Sequence, residues 1–393
     1  KNCALGSVKS MIGHTKCTAG VAGLIKIALS LYHKVLPSTL GVKNPNSCLA
    51  DTPFFVNTVT RPWIQRAENE PRRAAVSGFG FGGTNFHAVL EEYTGSFLEH
   101  RNDESVCQSW PSEIFLWGEE SRGGLIATLT ALNDVLKNEN HDMQLADLAF
   151  TLWRRYKNHS SNRLAVVATS VMDLKEKLAF ALEKLNLPTE GNPPVSTING
   201  NGIYFSAETF NAHRKIAFLF PGQGSQYPDM LSELAVYFSE VREQFELAEK
   251  TLKDRFPRAL TSYIYPQSRF SLEEEQICCR ALAKTNVTQP AVGAASMGLF
   301  KLLLALEIKP DILAGHSYGE YVALCAAGAF SEEVLLELSE ARGRAILESA
   351  GLDLGMMAAV AAESQVVEGL LESNHEVWVA NLNAPRQTII SGT

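Results

Sequence analysis

The run Gly315-His316-Ser317-Tyr318-Gly319-Glu320 constrains this chain more than any other stretch. It follows the apolar segment 312–315 and precedes a helix-forming stretch over 318–327, so the serine falls on the turn between a strand and a helix. Glycines on both sides allow a strained turn and close packing of the helix. The helix N-terminus then offers backbone N–H groups and the positive end of its dipole to a developing oxyanion. A turn of this kind belongs to an α/β layer. Upstream, the apolar segment 216–220 ends in Pro221 and the glycine loop Gly222-Gln223-Gly224-Ser225-Gln226, and Arg342 lies 25 positions beyond the serine. These parts describe an acyl-transfer site for an acidic acyl group, in which a planar guanidinium holds a carboxylate through two parallel hydrogen bonds. The competing reading is a chance G-x-S-x-G in a loop, which the strand–turn–helix context disfavours.

Composition narrows the alternatives. At 393 residues the chain is long enough for two or three domains, each with its own core. A net charge of -8 and the lack of any Lys/Arg-rich tract argue against nucleic-acid binding and against a polybasic membrane surface. No apolar stretch reads as approaching the ~18 residues needed to cross a bilayer, so no membrane span is expected. Lys1 falls inside what reads as a structured motif, and no signal peptide is expected there. The 7 cysteines are scattered, odd in number and form no C-x-x-C pair, which argues against a zinc site or disulfide framework and for a reducing, cytoplasmic setting.

Along the chain, residues 1–95 read as α/β, with a buried helix over Ala19–His33 and strands over 54–59, 74–79 and 85–91. Residues 102–112 read as a boundary. Helical periodicity over 125–136, 145–156 and 174–185, with a strand over 164–169, describes a small α/β module. The stretch 186–201, with Pro188, Pro193 and Pro194, reads as a loop. Beyond it, helices are expected over 231–253 and 289–306, and strands over 356–361 and 377–381 open a smaller subdomain.

Four ordered motifs resemble a family: malonyl-CoA:acyl carrier protein transacylases and the acyltransferase domains of polyketide and fatty acid synthases. Phe220-Pro221-Gly222-Gln223-Gly224-Ser225-Gln226 resembles its first loop, and Thr288-Gln289-Pro290-Ala291 its second. Gly315 to Tyr321 resembles its elbow, and Ala341-Arg342-Gly343 its arginine segment. The resemblance implies Ser317 as nucleophile with His316 beside it. It also implies the Gln223 backbone amide in the oxyanion hole, Gln289 lining the pocket, and Arg342 on the malonyl carboxylate. Arg344 reads instead as a surface arginine paired with a glutamate of its own helix. A serine needs a base, and the family's histidine lies beyond the smaller subdomain; His375 sits in a surface-loop context and does not match it. The chain ends at Thr393 inside a stretch resembling that subdomain, so the resemblance implies an acyltransferase cut before its base.

A second resemblance covers residues 1–95. Ser7-Val8-Lys9-Ser10-Met11-Ile12-Gly13-His14-Thr15 and Gly78-Phe79-Gly80-Phe81-Gly82-Gly83-Thr84-Asn85 resemble the C-terminal part of a thiolase-like β-ketoacyl synthase. It implies that His14 polarises the malonyl thioester carbonyl during decarboxylation, Lys9 organises the site, and Phe81 gates the glycine loop. Met11 and Cys17 depart from the commoner pattern without removing a catalytic group. Cys3 and Cys17 read as small buried hydrophobes. The family's nucleophilic cysteine would precede Lys1, so condensation by this chain alone is not expected.

The expected fold is therefore α/β in three parts. Residues 1–95 are the C-terminal half of a thiolase-like fold and 96–214 a small α/β linker domain. Residues 215–393 are an α/β-hydrolase-like acyltransferase large subdomain, to about 354, followed by the start of a ferredoxin-like small subdomain. The resemblance implies a multidomain synthase, homodimeric, with malonyl-CoA as substrate and the phosphopantetheine thiol of an acyl carrier protein as acceptor. It implies no cofactor or metal bound by these domains. An α/β serine hydrolase and a non-catalytic docking or scaffold piece remain the alternatives.

Overall fold

The computed structural model describes residues 3–67, 70–95, 110–137, 144–156, 159–187, 201–207, 215–349, 355–372 and 376–392. The boundary at 102–112 and the loop at 186–201 lie almost entirely outside the described residues, and His375 lies outside them. The chain divides into two compact units, Lys1–Glu99 with Lys215–Thr393, and His100–Arg214.

In the His100–Arg214 unit, strands Glu113–Glu119, Asn162–Ala168 and Ile203–Ser206 form an antiparallel sheet in that order. Strand alternation turns Phe115, Trp117, Leu164, Val166, Ala168, Ile203 and Phe205 to a single core. Helices Arg122–Lys137, Leu145–Arg155 and Val171–Asn186 close it with Leu125, Leu129, Ala149, Leu174 and Leu178. Ser170 caps the last helix by accepting from the Asp173 N–H at 3.1 Å. The expected helices and the central strand are present. The two outer strands were not legible, because one abuts the polar boundary and the other spans only 4 residues.

In the other unit, Cys3–Leu5 pairs in parallel with Phe54–Val56, and Arg73–Phe79 pairs antiparallel with Asn85–Glu91. Helix Ala19–His33 packs on Arg73–Phe79 through its small residues, with Gly20 and Gly23 against Gly78 and Val76. The expected burial of this helix holds on that side alone: its buried residues are Ser30 and Leu31, whereas Val21, Ile25 and Tyr32 are exposed. Cys3 and Cys17 are exposed too, contrary to expectation.

The segment after Asn57 is pinned to later parts of the chain by polar contacts. Thr58 donates its N–H to Ser268 Oγ at 2.9 Å, and Arg61 donates to the carbonyls of Tyr265 and Pro266. Arg72 donates through Nη1 to both Glu92 oxygens at 2.8 and 2.6 Å, through Nε to the Trp63 carbonyl at 2.6 Å, and through Nη2 to Glu246. Glu246 lies on helix Ser239–Thr251, where burial raises its carboxyl while Arg72 and Arg242 pull it back.

The strands that matter most for the site, Ala217–Phe220 and Ile312–Gly315, are parallel neighbours. Beneath them runs helix Thr285–Ala305, packed against Ser239–Thr251 and Glu332–Ser349. It begins earlier than expected, because Pro290 sits in its second turn and only the Asn286 carbonyl loses its helical donor. This helix is long and apolar enough to cross a membrane, against the sequence expectation, but 67% of its apolar window is buried inside the protein. The helix expected over 231–253 is two, Ser232–Tyr237 and Ser239–Thr251, broken where Phe238 is extended. Finally, Met356–Val360, helix Ser364–Leu371, Val377–Ala384 and Gln387–Gly392 form a β-α-β-β unit. Its last strand lies between the other two and antiparallel to both, as in the first three strands of a ferredoxin-like sheet.

The Arg72 contacts lead to a stability prediction. Arg72→Met removes the ion pairs with Glu92 and Glu246 from a buried network, and is expected to cost about 3 kcal/mol in urea unfolding. Arg73→Met breaks an exposed pair with Glu91 and is expected to cost less than about 1 kcal/mol. Equal costs would mean that the buried network does not hold the segment.

Candidate active site

Strand register builds the elbow. Phe220 pairs with Gly315, so both strands end level and the loops that follow them meet. His316 donates its N–H to the Phe220 carbonyl at 3.0 Å. A side chain placed on Gly222 would start 2.7 Å from the His316 carbonyl oxygen and 3.3 Å from Ser317 Cβ. Ser317 itself has φ 52°, in the left-handed region, a conformation that costs a non-glycine residue about 1–2 kcal/mol. The turn is possible because Gly315 and Gly319 lack side chains: a Cβ on Gly315 would collide with Gly319 and Glu320, and one on Gly319 with Phe220.

This geometry leaves Ser317 exposed at the tip. The N–H groups of Gly319 and Glu320 are used within the turn, on the carbonyls of His316 and Ser317 at 2.9 and 3.2 Å. Among the described residues, the backbone N–H groups of Gln223 and Tyr318 have no acceptor. These are the residue after the candidate nucleophile and a residue of the adjoining loop, the two positions from which an oxyanion hole is built. The loop is held in shape by Gly224 N–H on Gln226 Oε1 at 2.8 Å and by Ser225 Oγ on the Gly222 carbonyl at 2.9 Å.

The remaining candidates lie on two helices beside the elbow. Gln223 reaches Thr285 Oγ1 at 3.3 Å, at the start of helix Thr285–Ala305. Gln289, one turn further, is 1% exposed, and its Oε1 is buried without a partner among the described residues, as is Asn286 Oδ1. Gly343 packs directly on Asn286, which brings the arginine segment to the same end of that helix. Arg342 lies over the Tyr321 ring, Cζ to centroid 5.5 Å, and forms no ion pair among the described residues. Arg344 is the arginine paired with Glu340, at 3.2 Å, as its sequence context implies. Tyr318 points inward and is 1% exposed, and burial pushes its hydroxyl well up. Burial also pushes the Cys325 thiol, on the elbow helix Gly319–Ala326, up to about 11. Among the described residues, no side chain forms a hydrogen bond with the Ser317 hydroxyl, and no group of His, Cys, Asp and Glu could hold a metal ion. An apolar cavity of about 410 Å³ along Ala217–Phe220 is lined by Phe218, Tyr227, Leu299 and Phe300, but by neither Ser317 nor Arg342.

In the N-terminal part, His14 and Phe81 face each other with ring centroids 6.3 Å apart and planes 18° from parallel. Phe81 is 97% exposed on the Gly80–Thr84 turn, which closes with Gly80 N–H on the Thr84 carbonyl at 2.9 Å. The Lys16 N–H donates to His14 Nδ1 at 3.0 Å, so a neutral His14 carries its proton on Nε2. Lys9 opens the short helix Lys9–Ile12, is exposed, and makes no ion pair among the described residues.

Comparison with known proteins agrees with this geometry. Residues 217–393 match the acyl transferase domain family, and residues 1–43 match the C-terminal domain of β-ketoacyl synthases. Residues 217–393 form an acyl transferase domain, and the chain as a whole is similar to polyketide and fatty acid synthases. Over 99% of its length it is similar to one subunit of the polyunsaturated fatty acid synthase of a Thraustochytrium species, at 30% identity. It is also similar over 99% of its length to the phthioceranic/hydroxyphthioceranic acid synthase of Mycobacterium tuberculosis, at 32% identity. It spans only 14% and 17% of those two proteins. Among solved structures, the acyl transferase domain of ZmaA is similar with a TM-score of 0.57 and 28% identity, covering 73% of this chain and 60% of that one. The acyltransferase domain from module 8 of the salinomycin polyketide synthase shares the fold, with a TM-score of 0.57 over 72% of this chain and 61% of its own, at 23% identity.

Sequence reading of this acyl transferase domain pointed to the elbow, the glycine loop and the arginine segment; Thr288–Ala291, expected as a second loop, lies inside helix Thr285–Ala305, because Pro290 is tolerated in its second turn. It missed Thr285, Asn286 and Ser339, for which no motif or periodicity gives a signal. The close approach at the elbow predicts that Gly319→Ala lowers stability by more than about 3 kcal/mol, since backbone must move. Thermal unfolding of the variant checks this; a loss below about 1 kcal/mol would mean that the elbow is less tightly packed than described.

Proposed function

We propose that residues 215–393 load the extender unit of a multidomain polyketide or fatty acid synthase, with residues 1–95 closing its ketosynthase domain and 96–214 forming the linker. The observation that carries this is the left-handed Ser317 beside the Gln223 and Tyr318 N–H groups, which have no acceptor among the described residues, with Arg342 on the adjoining helix making no ion pair among them.

Ser317 Oγ attacks the thioester carbonyl of malonyl-CoA, and its proton passes to a base outside the described residues. The carbonyl oxygen becomes an oxyanion that accepts from the Gln223 and Tyr318 N–H groups. Collapse breaks the C–S bond, CoA leaves as thiolate and takes up the proton, and malonyl stays as an ester on Ser317. The phosphopantetheine thiol of an acyl carrier protein then attacks the ester, and the same steps in reverse free Ser317. Arg342 supports malonyl as the acyl group: Glu340 is taken by Arg344, which leaves the Arg342 charge for a substrate carboxylate. His316 and Gln289 flank the acyl group in this reading. No step requires a cofactor.

In the ketosynthase part, His14 Nε2–H is placed to donate to a malonyl thioester carbonyl, with Phe81 as the gate over it and Lys9 on the short helix before it organising the site. Homodimerisation and a cytoplasmic setting belong to the same reading. The ketosynthase resemblance supports the first, and the free cysteines 3, 17, 48, 278, 279 and 325 support the second.

Mass spectrometry of the complete synthase with malonyl-CoA tests the assignment. Ser317 is expected to gain one malonyl group, and Ser317→Ala none. Arg342→Ala is expected to lower malonyl loading roughly 100-fold relative to acetyl loading, the worth of two charge-assisted hydrogen bonds. Equal losses with both acyl groups would make Arg342 structural, and hydrolysis of neutral esters outpacing transfer would favour a serine hydrolase.

A further inference from the structure

Tyr318 follows Ser317 directly but turns into the core, where it packs with Phe220, Val292, Val322 and Leu335. Its hydroxyl lies 2.6 Å from Ser339 Oγ. Ser339 is fully buried and donates its own proton to the Leu335 carbonyl at 2.5 Å, so Tyr318 is the donor in the pair. Helix Thr285–Ala305 makes room for the tyrosine hydroxyl at Gly293, where a side chain would run into it. Ser339 precedes Arg342 by three positions on helix Glu332–Ser349, a spacing that puts both on one side of the helix. Tyr321 lies 6.3 Å from the Tyr318 ring at 14° and carries the Arg342 guanidinium over its face at 5.5 Å. The elbow thus touches the arginine helix at two points, Tyr318 on Ser339 and Tyr321 on Arg342.

We infer that Ser339 is a positioning residue: through its hydrogen bond with Tyr318 it fixes how far Arg342 stands from Ser317, and so the length of diacid the site accepts. This rests on the reading of Ser317 and Arg342 as the malonyl-loading pair. The physical reason is geometric. The carboxylate of an acyl group on Ser317 reaches a distance set by its carbon chain, and a bidentate guanidinium contact tolerates little displacement. Malonyl and succinyl differ by one methylene. A helix tied to the residue next to the nucleophile holds one of those distances; without the tie its spacing rests on packing against helix Thr285–Ala305 and on the Arg342–Tyr321 contact, and the preference weakens. Burial of the Tyr318 hydroxyl keeps it protonated, and it therefore stays a donor throughout.

The test is competitive loading of Ser317 in the complete synthase from equal malonyl-CoA and succinyl-CoA, read by mass spectrometry. Both acids need Arg342, so a general loss of acid binding cancels in the ratio. Ser339→Ala is expected to raise the succinyl-to-malonyl ratio roughly 10-fold, the worth of one buried hydrogen bond. Should that variant fail to fold, the double variant Tyr318→Phe with Ser339→Ala removes both polar ends, leaves no buried orphan, and is expected to show the same rise. A ratio unchanged from wild type in the folded variant overturns the inference, whatever happens to its stability. Failure of wild type to load malonyl at all would instead defeat the proposed function on which the inference rests.

Discussion

Everything at the site follows from two short parallel strands that end at the same level. Because Phe220 pairs with Gly315, the glycine loop and the elbow are forced into contact, and among the described residues the Gln223 and Tyr318 N–H groups have no acceptor. The left-handed backbone of Ser317 is the cost of that arrangement, about 1–2 kcal/mol of local strain. Packing sustains it. Tyr318, immediately after the strained residue, is locked into the core and onto the arginine helix, so the turn cannot relax without breaking buried contacts.

The polar fasteners work at longer range. Arg61 and Arg72 sit in a connecting segment whose position is set by the Tyr265 and Pro266 carbonyls and Glu246 of the acyl transferase part, together with Ile64 packed on its core. Such contacts are weak sources of net stability but strong sources of specificity when each partner is satisfied. Their effect is to hold residues 58–72 against the acyl transferase part as one body with it.

Legibility in the sequence tracked the physics of each element. The elbow was readable because a serine in left-handed backbone needs glycines around it, and those glycines are written in the sequence at fixed positions. Helix Ala19–His33 and the central strand of the His100–Arg214 unit were readable from periodicity. Its outer strands were not, and neither was the true start of helix Thr285–Ala305, because proline in a second helical turn looks like a boundary. Burial was misjudged at Cys3, Cys17 and Val21, where composition says apolar and the fold leaves them exposed. Ser339 was invisible for a different reason. A buried serine is defined by its partner, and that partner lies 21 positions away across a helix pair.

The central claim is that Ser317, the Gln223 and Tyr318 N–H groups and Arg342 form one acid-loading site. A crystal structure of the malonyl-Ser317 ester tests it most directly. The account predicts the ester carbonyl oxygen within hydrogen-bond reach of the Gln223 and Tyr318 N–H groups, and the carboxylate gripped by both Arg342 nitrogens. A carboxylate left in solvent, with Arg342 still lying over Tyr321, would contradict it.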